Sequence, residues 1–317
     1  MTENSISKQQ FNFSIGWTAW IGMAVLYVLT YLAYQSPYRL LQGTGVHVSD
    51  AERFLFPLIP VGILAGSIII HEAAHAIAMA ANDIKVGKIR LEIWGGYTAP
   101  TDDSPSLLHI PATKSFAIYF VGPCSNLVLA AAFLFFAPEP LRSDEISSPI
   151  GLFVHGWFER GFEFNLILAL FNLIPLFPLD GGHVLRSILM GICGSAMAAG
   201  LVSGTFSILV GSAYVRYIAT AVIEARIASI EDAWPVIQSY ALLGIFAGII
   251  VLTSFLMLVV TLFERPPAGS KSINLSQRLL TMLLMVSLVG FGYVLHFKGY
   301  WERLPLPTEL YAALLGS

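Results

Sequence analysis

The chain has 317 residues, of which 56% are hydrophobic and only 12% are charged. Soluble domains carry about 25% charged residues. Together with a mean hydropathy of +0.72, this composition argues against a soluble enzyme and predicts a polytopic membrane protein. The net charge is −3 and the sequence has no basic block, so we expect no nucleic acid partner. Cys124 and Cys193 both fall in apolar segments, which argues against a disulfide framework.

The apolar stretches predict an all-α polytopic membrane protein with about seven transmembrane helices. The first ten residues are polar and lack the features of a removable signal peptide, so the first span is interpreted as a retained helix. The fourth span is expected to begin near Phe162. The other six spans are expected at about 17–34, 54–81, 115–137, 197–214, 240–263 and 279–297.

The second span carries the sequence His71-Glu72-x-x-His75 in its C-terminal half. Helical residues four apart share a face, with about 6 Å between their β-carbons. Two imidazoles placed in this way could bind one Zn²⁺ and leave positions for a third ligand and a water. Glu72 projects about 100° around the helix from His71, where it could act as a general base. The alternative is a histidine pair that serves packing, but ionisable groups at bilayer depth cost on the order of 3 kcal/mol each and indicate function.

A polar stretch at 82–114 separates the second and third spans. Residues 88–93 alternate polar and apolar side chains, which is the period of a strand with one buried face. Gly95-Gly96 could supply a turn and 97–100 a returning strand, so we predict a small membrane-associated β-hairpin. Two interpretations stay open. The strand at 88–93 could be a free edge that pairs with an extended substrate, or the hairpin could only plug the mouth of the site.

The third span contains Gly122-Pro123-x-x-Asn126. A proline inside a helix removes one backbone hydrogen bond, so Pro123 is expected to break or kink the helix. Asn126 is a polar group at membrane depth and needs a partner. We interpret Asn126 as a tie between helices rather than as a catalytic group.

The fourth span holds the second motif, Asn172-x-x-Pro175-x-x-x-Leu179-Asp180-Gly181. Two prolines and two glycines in eight residues cannot remain a straight helix. Broken backbone at membrane depth is tolerated only where protein buries it or water reaches it. Asp180 is costly in lipid unless it meets a cation, and a Zn²⁺ held by two histidines lacks a third ligand. Asp180 is therefore the candidate for that ligand.

Together the two motifs resemble those of the site-2 protease family of intramembrane zinc metalloproteases. In that family a His-Glu-x-x-His helix pairs with a later span that carries Asn-x-x-Pro-x-x-x-Leu-Asp-Gly, and every signature position is filled here. The Gly-Pro-x-x-Asn step that ends at Asn126 is similar to the family's middle core helix. The resemblance covers roughly residues 54–186.

The resemblance implies that His71, His75 and Asp180 bind one Zn²⁺ per chain. It implies that Glu72 is the catalytic base that activates water. Asn172 would be a second catalytic residue, which stabilises the oxyanion or fixes the unwound substrate. The region around the Gly-Gly pair looks like the family's membrane-associated β-loop. The residues expected to bind substrate are Ile89, Arg90, Leu91, Gly95 and Gly96.

The implied activity is regulated intramembrane proteolysis, which is cleavage of a peptide bond within or beside a transmembrane helix of a membrane-protein substrate. One alternative is another polytopic membrane zinc metallopeptidase with a glutamate as its third ligand, and Asp180 argues against it. A second alternative is a non-enzymatic metal-binding membrane protein, such as a transporter or scaffold. The presence of Glu72, with the ionisable groups gathered at one point, argues against that second class. A regulatory partner or a homodimer stays open.

The sequence is expected to divide into an N-terminal span and loop at 1–52, a catalytic three-helix membrane core at 53–190 and C-terminal transmembrane helices at 191–317. We expect a multi-pass integral protein of a plasma or inner membrane. If the second span runs outward to inward, both motifs lie toward the cytoplasmic side. The loop lysines and arginines are too evenly distributed to decide this orientation by count.

Overall fold

A computed structural model of the chain describes residues 12–43, 47–93, 95–138, 149–224 and 230–263. The protein is mostly helical, with a small sheet of three strands in the described ranges. It divides into two compact units, the first reaching Ile174 and the second beginning at Pro175. Both cysteines are free, as the sequence predicts. The three-part division of the chain stays a prediction.

The first unit holds the sheet and the helices that surround it. Its elements are β1 (Asn12–Ile15), α1 (Trp17–Gly43), α2 (Asp50–Leu55), α3 (Leu58–Ala81), β2 (Val86–Glu92), β3 (Gly95–Pro100), α4 (Ala112–Phe135) and α5 (Pro149–Asn172). α2 begins with a capping box, in which Ser49 and Glu52 satisfy each other's backbone N–H groups. α3 packs against α1, α4, α5 and the sheet, so it is the central helix of this unit.

The second unit contains helices and no strand in its described part. Its helices are α6 (Asp180–Cys193), α7 (Ala196–Glu224) and α8 (Ile230–Phe263), and α7 packs against both α6 and α8. α6 begins at Asp180 and α5 ends at Asn172, so the predicted helix break in the second motif is confirmed. The prolines and glycines between these two points cannot continue an α-helix. By contrast, α4 continues through Pro123 rather than ending there.

Five helical segments in the described part of the chain are long and apolar enough to cross a membrane: Trp17–Gln35, Asp50–Ala81, Ala112–Phe135, Ala196–Thr220 and Gly244–Phe263. They coincide with five of the predicted spans and support an integral membrane protein. α5 occupies the predicted fourth position but carries Glu159, Arg160 and Glu163 in its N-terminal half. The predicted span at 279–297 lies outside the described residues, so the count of about seven stays a prediction.

The hairpin predicted between the second and third spans is present as β2 and β3, but β2 is the middle strand of the sheet. β1 pairs with β2 in parallel, with Asn12 opposite Lys88 and Ile15 opposite Leu91, and β3 pairs with its other side antiparallel. Of the two interpretations that the sequence left open for 88–93, the free edge is therefore wrong. β1 was missed because a four-residue strand whose partner lies more than 70 residues away leaves no local pattern.

A cluster of buried apolar side chains joins the sheet to α3 and α4. Its members are Ala76, Met79, Ile84, Val86, Ile89, Ile110 and Ile118. The register of β2 against β3 shifts between Val86 and Lys88, so the buried positions of β2 are Val86, Ile89 and Leu91. This cluster fixes the C-terminal end of α3 against the sheet, one turn beyond the His-Glu-x-x-His sequence.

Candidate metal centre

The His-Glu-x-x-His sequence lies in the middle of α3 and is buried there. His71, Glu72 and His75 are 7%, 5% and 6% exposed. The Nε2 atoms of His71 and His75 lie 3.1 Å apart, and the two rings meet edge to face with centroids 4.7 Å apart. The helical spacing therefore brings two imidazole nitrogens to one point, as the sequence predicts.

The Nδ1 atom of His75 lies 2.6 Å from the backbone carbonyl oxygen of Ile118 on α4. A carbonyl oxygen can only accept a hydrogen bond, so Nδ1 must carry the proton. In the neutral ring, Nε2 then presents its lone pair. The backbone of α4 thus selects the tautomer in which His75 can bind a metal through Nε2.

The Nδ1 atom of His71 lies 2.6 Å from Oδ1 of Asn126, also on α4. This oxygen accepts from Nδ1–H, so the Nε2 atom of His71 presents a lone pair as well. The outer nitrogens of metal-binding histidines are usually held in this way, by a carbonyl or an amide oxygen. Asn126 does tie helices together, as predicted, but its partner is one of the two imidazoles.

Two lone pairs that face each other in a buried site are unfavourable unless a cation lies between them. In a tetrahedral zinc site, nitrogens at about 2.0–2.1 Å from the metal lie about 3.3 Å from each other. The 3.1 Å between the Nε2 atoms of His71 and His75 agrees with this spacing. The pair therefore fits Zn²⁺ in its chemistry and in its geometry.

Gly122 on α4 keeps the space in front of the two imidazoles open. A β-carbon at this position would lie 2.7 Å from Nε2 of His71, and it would also contact Nε2 of His75. Both contacts are closer than real β-carbons make. Because glycine has no side chain, Gly122 leaves open the space that a metal ion would occupy.

We expect Gly122→Ala to lower zinc affinity by at least about tenfold, because the new methyl group competes with the ion for the space beside both Nε2 atoms. Alanine favours a helix over glycine by about 1 kcal/mol, so general loss of helix would not explain the effect. Competition with a chromogenic chelator measures the affinity. Gly66→Ala is the matched control, because a β-carbon at Gly66 of α3 meets nothing within 4 Å. Equal zinc affinity of the two variants would contradict the assignment.

Glu72 is held by β3. The Thr98 hydroxyl lies 2.8 Å from Oε2 of Glu72 and 3.0 Å from its backbone carbonyl oxygen, and it can donate to either. A β-carbon at Gly96 would lie 2.5 Å from Cγ of Glu72, so β3 passes directly over this side chain. Sequence reasoning missed Thr98. Its only signal is a polar side chain on a strand that packs against α3.

The residues predicted to bind substrate do not lie together at one edge. Ile89 and Leu91 are buried, and the backbone of β2 is paired on both sides. Arg90 forms an ion pair with Glu92, which also accepts a hydrogen bond from Thr18 on α1. The hydrogen bond from Thr18 is the main cause that lowers the pKa of Glu92 below its usual range.

Gly95 and Gly96 begin β3 rather than forming the turn. Gly95 has a φ of 129°, a conformation that only glycine adopts readily. The structure brings Gly96 against Glu72. Of the predicted substrate-binding positions, these two therefore lie on the strand that passes over Glu72.

The other two predicted site residues lie at the ends of helices. Asn172 is the last residue of α5, and its Nδ2 donates to the carbonyl oxygen of Leu168 at 2.9 Å. Asp180 is the first residue of α6 in the second unit and is half-buried. The catalytic role of Asn172 and the ligand role of Asp180 stay predictions.

Asn165 on α5 is a polar residue that sequence reasoning missed. Its side chain is completely buried, and its Oδ1 accepts from Nδ2 of Asn126 at 2.9 Å. The signal was available, because an asparagine within an apolar helix needs a partner for the same reason that Asn126 does.

A buried histidine pair with a glutamate beside it, in a helix long and apolar enough to cross a membrane, is typical of metal sites of the His-Glu-x-x-His class. Residues 60–144 and 141–211 match the sequence model of Peptidase family M50. This match supports the family resemblance identified from the two motifs.

Relatives of this chain include proteins named as zinc metalloproteases. The chain is 32% identical to sll0528 of Synechocystis sp. over 151 residues, which are 47% of this chain and 36% of the relative. It is 29% identical to Rip3 of Mycobacterium tuberculosis over 185 residues, 57% of this chain and 43% of the relative. The matched region is thus less than half the length of either relative.

Among solved structures, the Site-2 Protease from Methanocaldococcus jannaschii matches this chain. The TM-score is 0.41 at 17% sequence identity, and the match covers 83% of this chain and 94% of that one.

Proposed function

We propose that the protein is an intramembrane zinc metalloprotease, which hydrolyses a peptide bond within or beside a transmembrane helix of another membrane protein. The observation that carries this proposal is the pair of Nε2 atoms 3.1 Å apart on a candidate membrane span, with Glu72 buried next to them. The match to Peptidase family M50 and the relatives named zinc metalloproteases support it.

We propose that His71, His75 and Asp180 hold the zinc ion. Imidazole nitrogens and carboxylate oxygens are common zinc ligands, and Asp180 is the carboxylate that the second motif supplies. Three protein ligands with one open position are the pattern of catalytic zinc sites. Asp180 opens α6, and the positive end of a helix dipole favours the ionised carboxylate that a metal requires.

Glu72 is the proposed general base. Zn²⁺, when bound, lowers the pKa of a water molecule toward about 7 and polarises a carbonyl group. The Glu72 carboxylate takes a proton from the attacking water, whose oxygen bonds to the scissile carbonyl carbon. Glu72 then delivers that proton to the amine nitrogen as the carbon–nitrogen bond breaks. The hydrogen bond between Thr98 and Oε2 of Glu72 fixes the orientation of the carboxylate for both transfers.

A helical substrate must unwind before cleavage, because its carbonyl groups are bonded within the helix. We propose that the outer edge of β3 pairs with the unwound segment. β3 is an edge strand of the three-stranded sheet, and its Gly96 and Thr98 both contact Glu72. Gly95 and Gly96 are therefore retained as proposed substrate contacts. Asn172 is retained as the group that stabilises the oxyanion or fixes the substrate.

We propose that the site opens toward the cytoplasmic side. Lys85, Lys88 and Arg90 follow the C-terminal end of α3, which is the end nearer to the histidine pair. Positive residues next to a span favour the cytoplasmic side, so this local cluster supports the orientation. The bilayer and a substrate with a transmembrane helix are the partners that the proposal requires.

The test of this function uses the purified full-length chain in liposomes with a single-span membrane protein as substrate. We expect mass spectrometry to locate a cut within or beside the substrate's span. A zinc chelator should stop the cleavage and added Zn²⁺ should restore it, because activation of water depends on the metal. Cleavage that survives complete removal of zinc would contradict the proposal. Zinc binding without any cleavage would favour a non-enzymatic metal-binding protein instead.

A further inference from the structure

Asn165 belongs to neither sequence motif, yet it lies next to the residue that orients His71. It is in the middle of α5, in the same unit as α3 and α4. Its side chain is 0% exposed, as is that of Asn126. A buried amide is costly unless its oxygen and its nitrogen both find partners, so its contacts are informative.

Three hydrogen bonds in series connect the backbone of α5, through the side chains of Asn165 and Asn126, to His71. Nδ2 of Asn165 donates to the backbone carbonyl oxygen of Gly161 at 2.8 Å, and Oδ1 of Asn165 accepts from Nδ2 of Asn126 at 2.9 Å. Oδ1 of Asn126 then accepts from Nδ1 of His71 at 2.6 Å. The chain of bonds runs without a gap from the backbone of α5 to an imidazole of α3.

The direction of these bonds is fixed at one end. The Gly161 carbonyl can only accept, so Asn165 must turn its nitrogen toward it and its oxygen toward Asn126. Asn126 must then turn its nitrogen toward Asn165 and its oxygen toward His71. A reversed Asn126 amide would offer a donor to Nδ1 of His71. The proton would then move to Nε2, the atom that faces the metal position.

We propose that Asn165 is a positioning residue for the metal site. It holds the Asn126 amide in the orientation that keeps the lone pair of His71 on Nε2. The inference rests on the proposed role of His71 as a zinc ligand. Asn165 lies outside both motifs, and through it a third helix, α5, contributes to the binding of zinc.

Asn126 has a second contact that limits the expected effect. Its Nδ2 lies 3.4 Å from the carbonyl oxygen of Ser67, a longer bond that favours the same orientation of the amide. Loss of the Asn165 side chain should therefore weaken the preference of the Asn126 amide for this orientation without reversing it. Partners of metal-binding histidines typically contribute 10–100-fold in metal affinity. We expect an effect of about tenfold, near the lower end of that range.

The first test is Asn165→Leu, which keeps the branching at Cγ and the number of side-chain heavy atoms and removes the acceptor for Asn126. We expect zinc affinity of the purified full-length protein to fall about tenfold in competition with a chelator. In the zinc-free protein, ¹⁵N-histidine NMR should show a larger share of His71 with its proton on Nε2. If the leucine variant is not recovered folded, Asn165→Ala carries the same expectation. Unchanged zinc affinity and an unchanged tautomer would overturn the proposal.

A second test separates positioning from packing. In Asn126→Asp, both side-chain oxygens accept, so the orientation no longer depends on Asn165. We expect Asn165→Leu to cause no further loss of zinc affinity in the Asn126→Asp background. If Asn165 only fills space between α4 and α5, the leucine substitution would lower affinity equally in both backgrounds, and the proposal would fail.

The matched control is Thr253→Val on α8. Thr253 donates to the carbonyl oxygen of Ile249, one turn earlier in its own helix, at 2.7 Å. The valine variant thus loses a bond of the same kind as the one from Asn165 to Gly161, but outside the site. Its zinc affinity should equal that of the unmodified protein.

These measurements need no substrate, so they stand apart from the proposed protease activity. Zinc binding that depends on Asn165 without any cleavage would support the positioning role and contradict the proposed function. Cleavage that requires Glu72, together with a zinc affinity that does not change in the Asn165 variants, would support the proposed function and contradict the positioning role.

Discussion

Glu72→Gln should abolish peptide cleavage while the protein keeps its zinc. Glutamine has the shape of glutamate, and its side-chain oxygen can still accept the hydrogen bond from Thr98 that Oε2 of Glu72 accepts in the structure. It cannot take a proton from water, so both proton transfers are lost. General acid–base groups contribute about 10²–10⁴ in rate, and here one group would serve twice, so we expect a loss of at least about 10⁴-fold.

Two measurements on the same sample test this expectation. Zinc content, from elemental analysis of the purified variant, should equal one ion per chain. The rate of cleavage should be at background for the single-span substrate in liposomes. Glu163→Gln is the matched control, because Glu163 lies in the same unit but pairs with Arg160 on α5. Cleavage by the Glu72 variant at the rate of this control would refute the role of Glu72.

The metal-binding half of the site could be predicted from the sequence because its spacing is local. Four residues of helix bring His71 and His75 together whatever else the chain does, and the structure confirms their contact. The break before Asp180 was equally local, since it follows from prolines and glycines that cannot remain helical. Such features depend on a few neighbouring residues and need no knowledge of the fold.

The parts that were missed depend on contacts between distant segments. β1 takes one side of β2, so the edge predicted at 88–93 is closed and the outer edge of the hairpin belongs to β3. Thr98 became visible as a partner of Glu72 only when β3 was seen to cross α3. Asn165, by contrast, could have been identified from the sequence. It lies in an apolar stretch, and a buried amide needs hydrogen-bond partners.

The hydrogen bond between Asn126 and His71 both joins two helices and orients a candidate metal ligand. The sequence indicates that a polar group inside the third span needs a partner from another helix. In the structure Asn126 bonds to two side chains, those of Asn165 on α5 and His71 on α3. It also makes a longer bond to the backbone carbonyl oxygen of Ser67 on α3. Membrane helices pack without a strong hydrophobic driving force, so buried polar bonds of this kind help to hold them together. Here the bond that joins the helices also selects the histidine tautomer.

Asp180→Asn should remove zinc from the protein and abolish cleavage with it. The amide keeps the size of the carboxylate and can still accept hydrogen bonds at the start of α6, but it has lost the negative charge that makes a strong zinc ligand. We expect zinc affinity to fall by more than the 10–100-fold that is typical when an outer partner is lost, because a direct ligand is removed. Chelator competition measures the affinity, and circular dichroism verifies that the helices remain.

Asp103→Asn is the matched control for that experiment. Asp103 is an exposed acid whose Oδ2 lies 2.8 Å from Nζ of Lys85, and the hydrogen bond from Lys85 lowers its pKa to about 2. It is therefore ionised at neutral pH, as a metal-binding carboxylate must be, so the two substitutions remove the same charge. The Asp103 variant should bind zinc and cleave substrate like the unmodified protein. If the Asp180 variant does so too, the third ligand is another residue, and the proposed pairing of the two motifs is wrong.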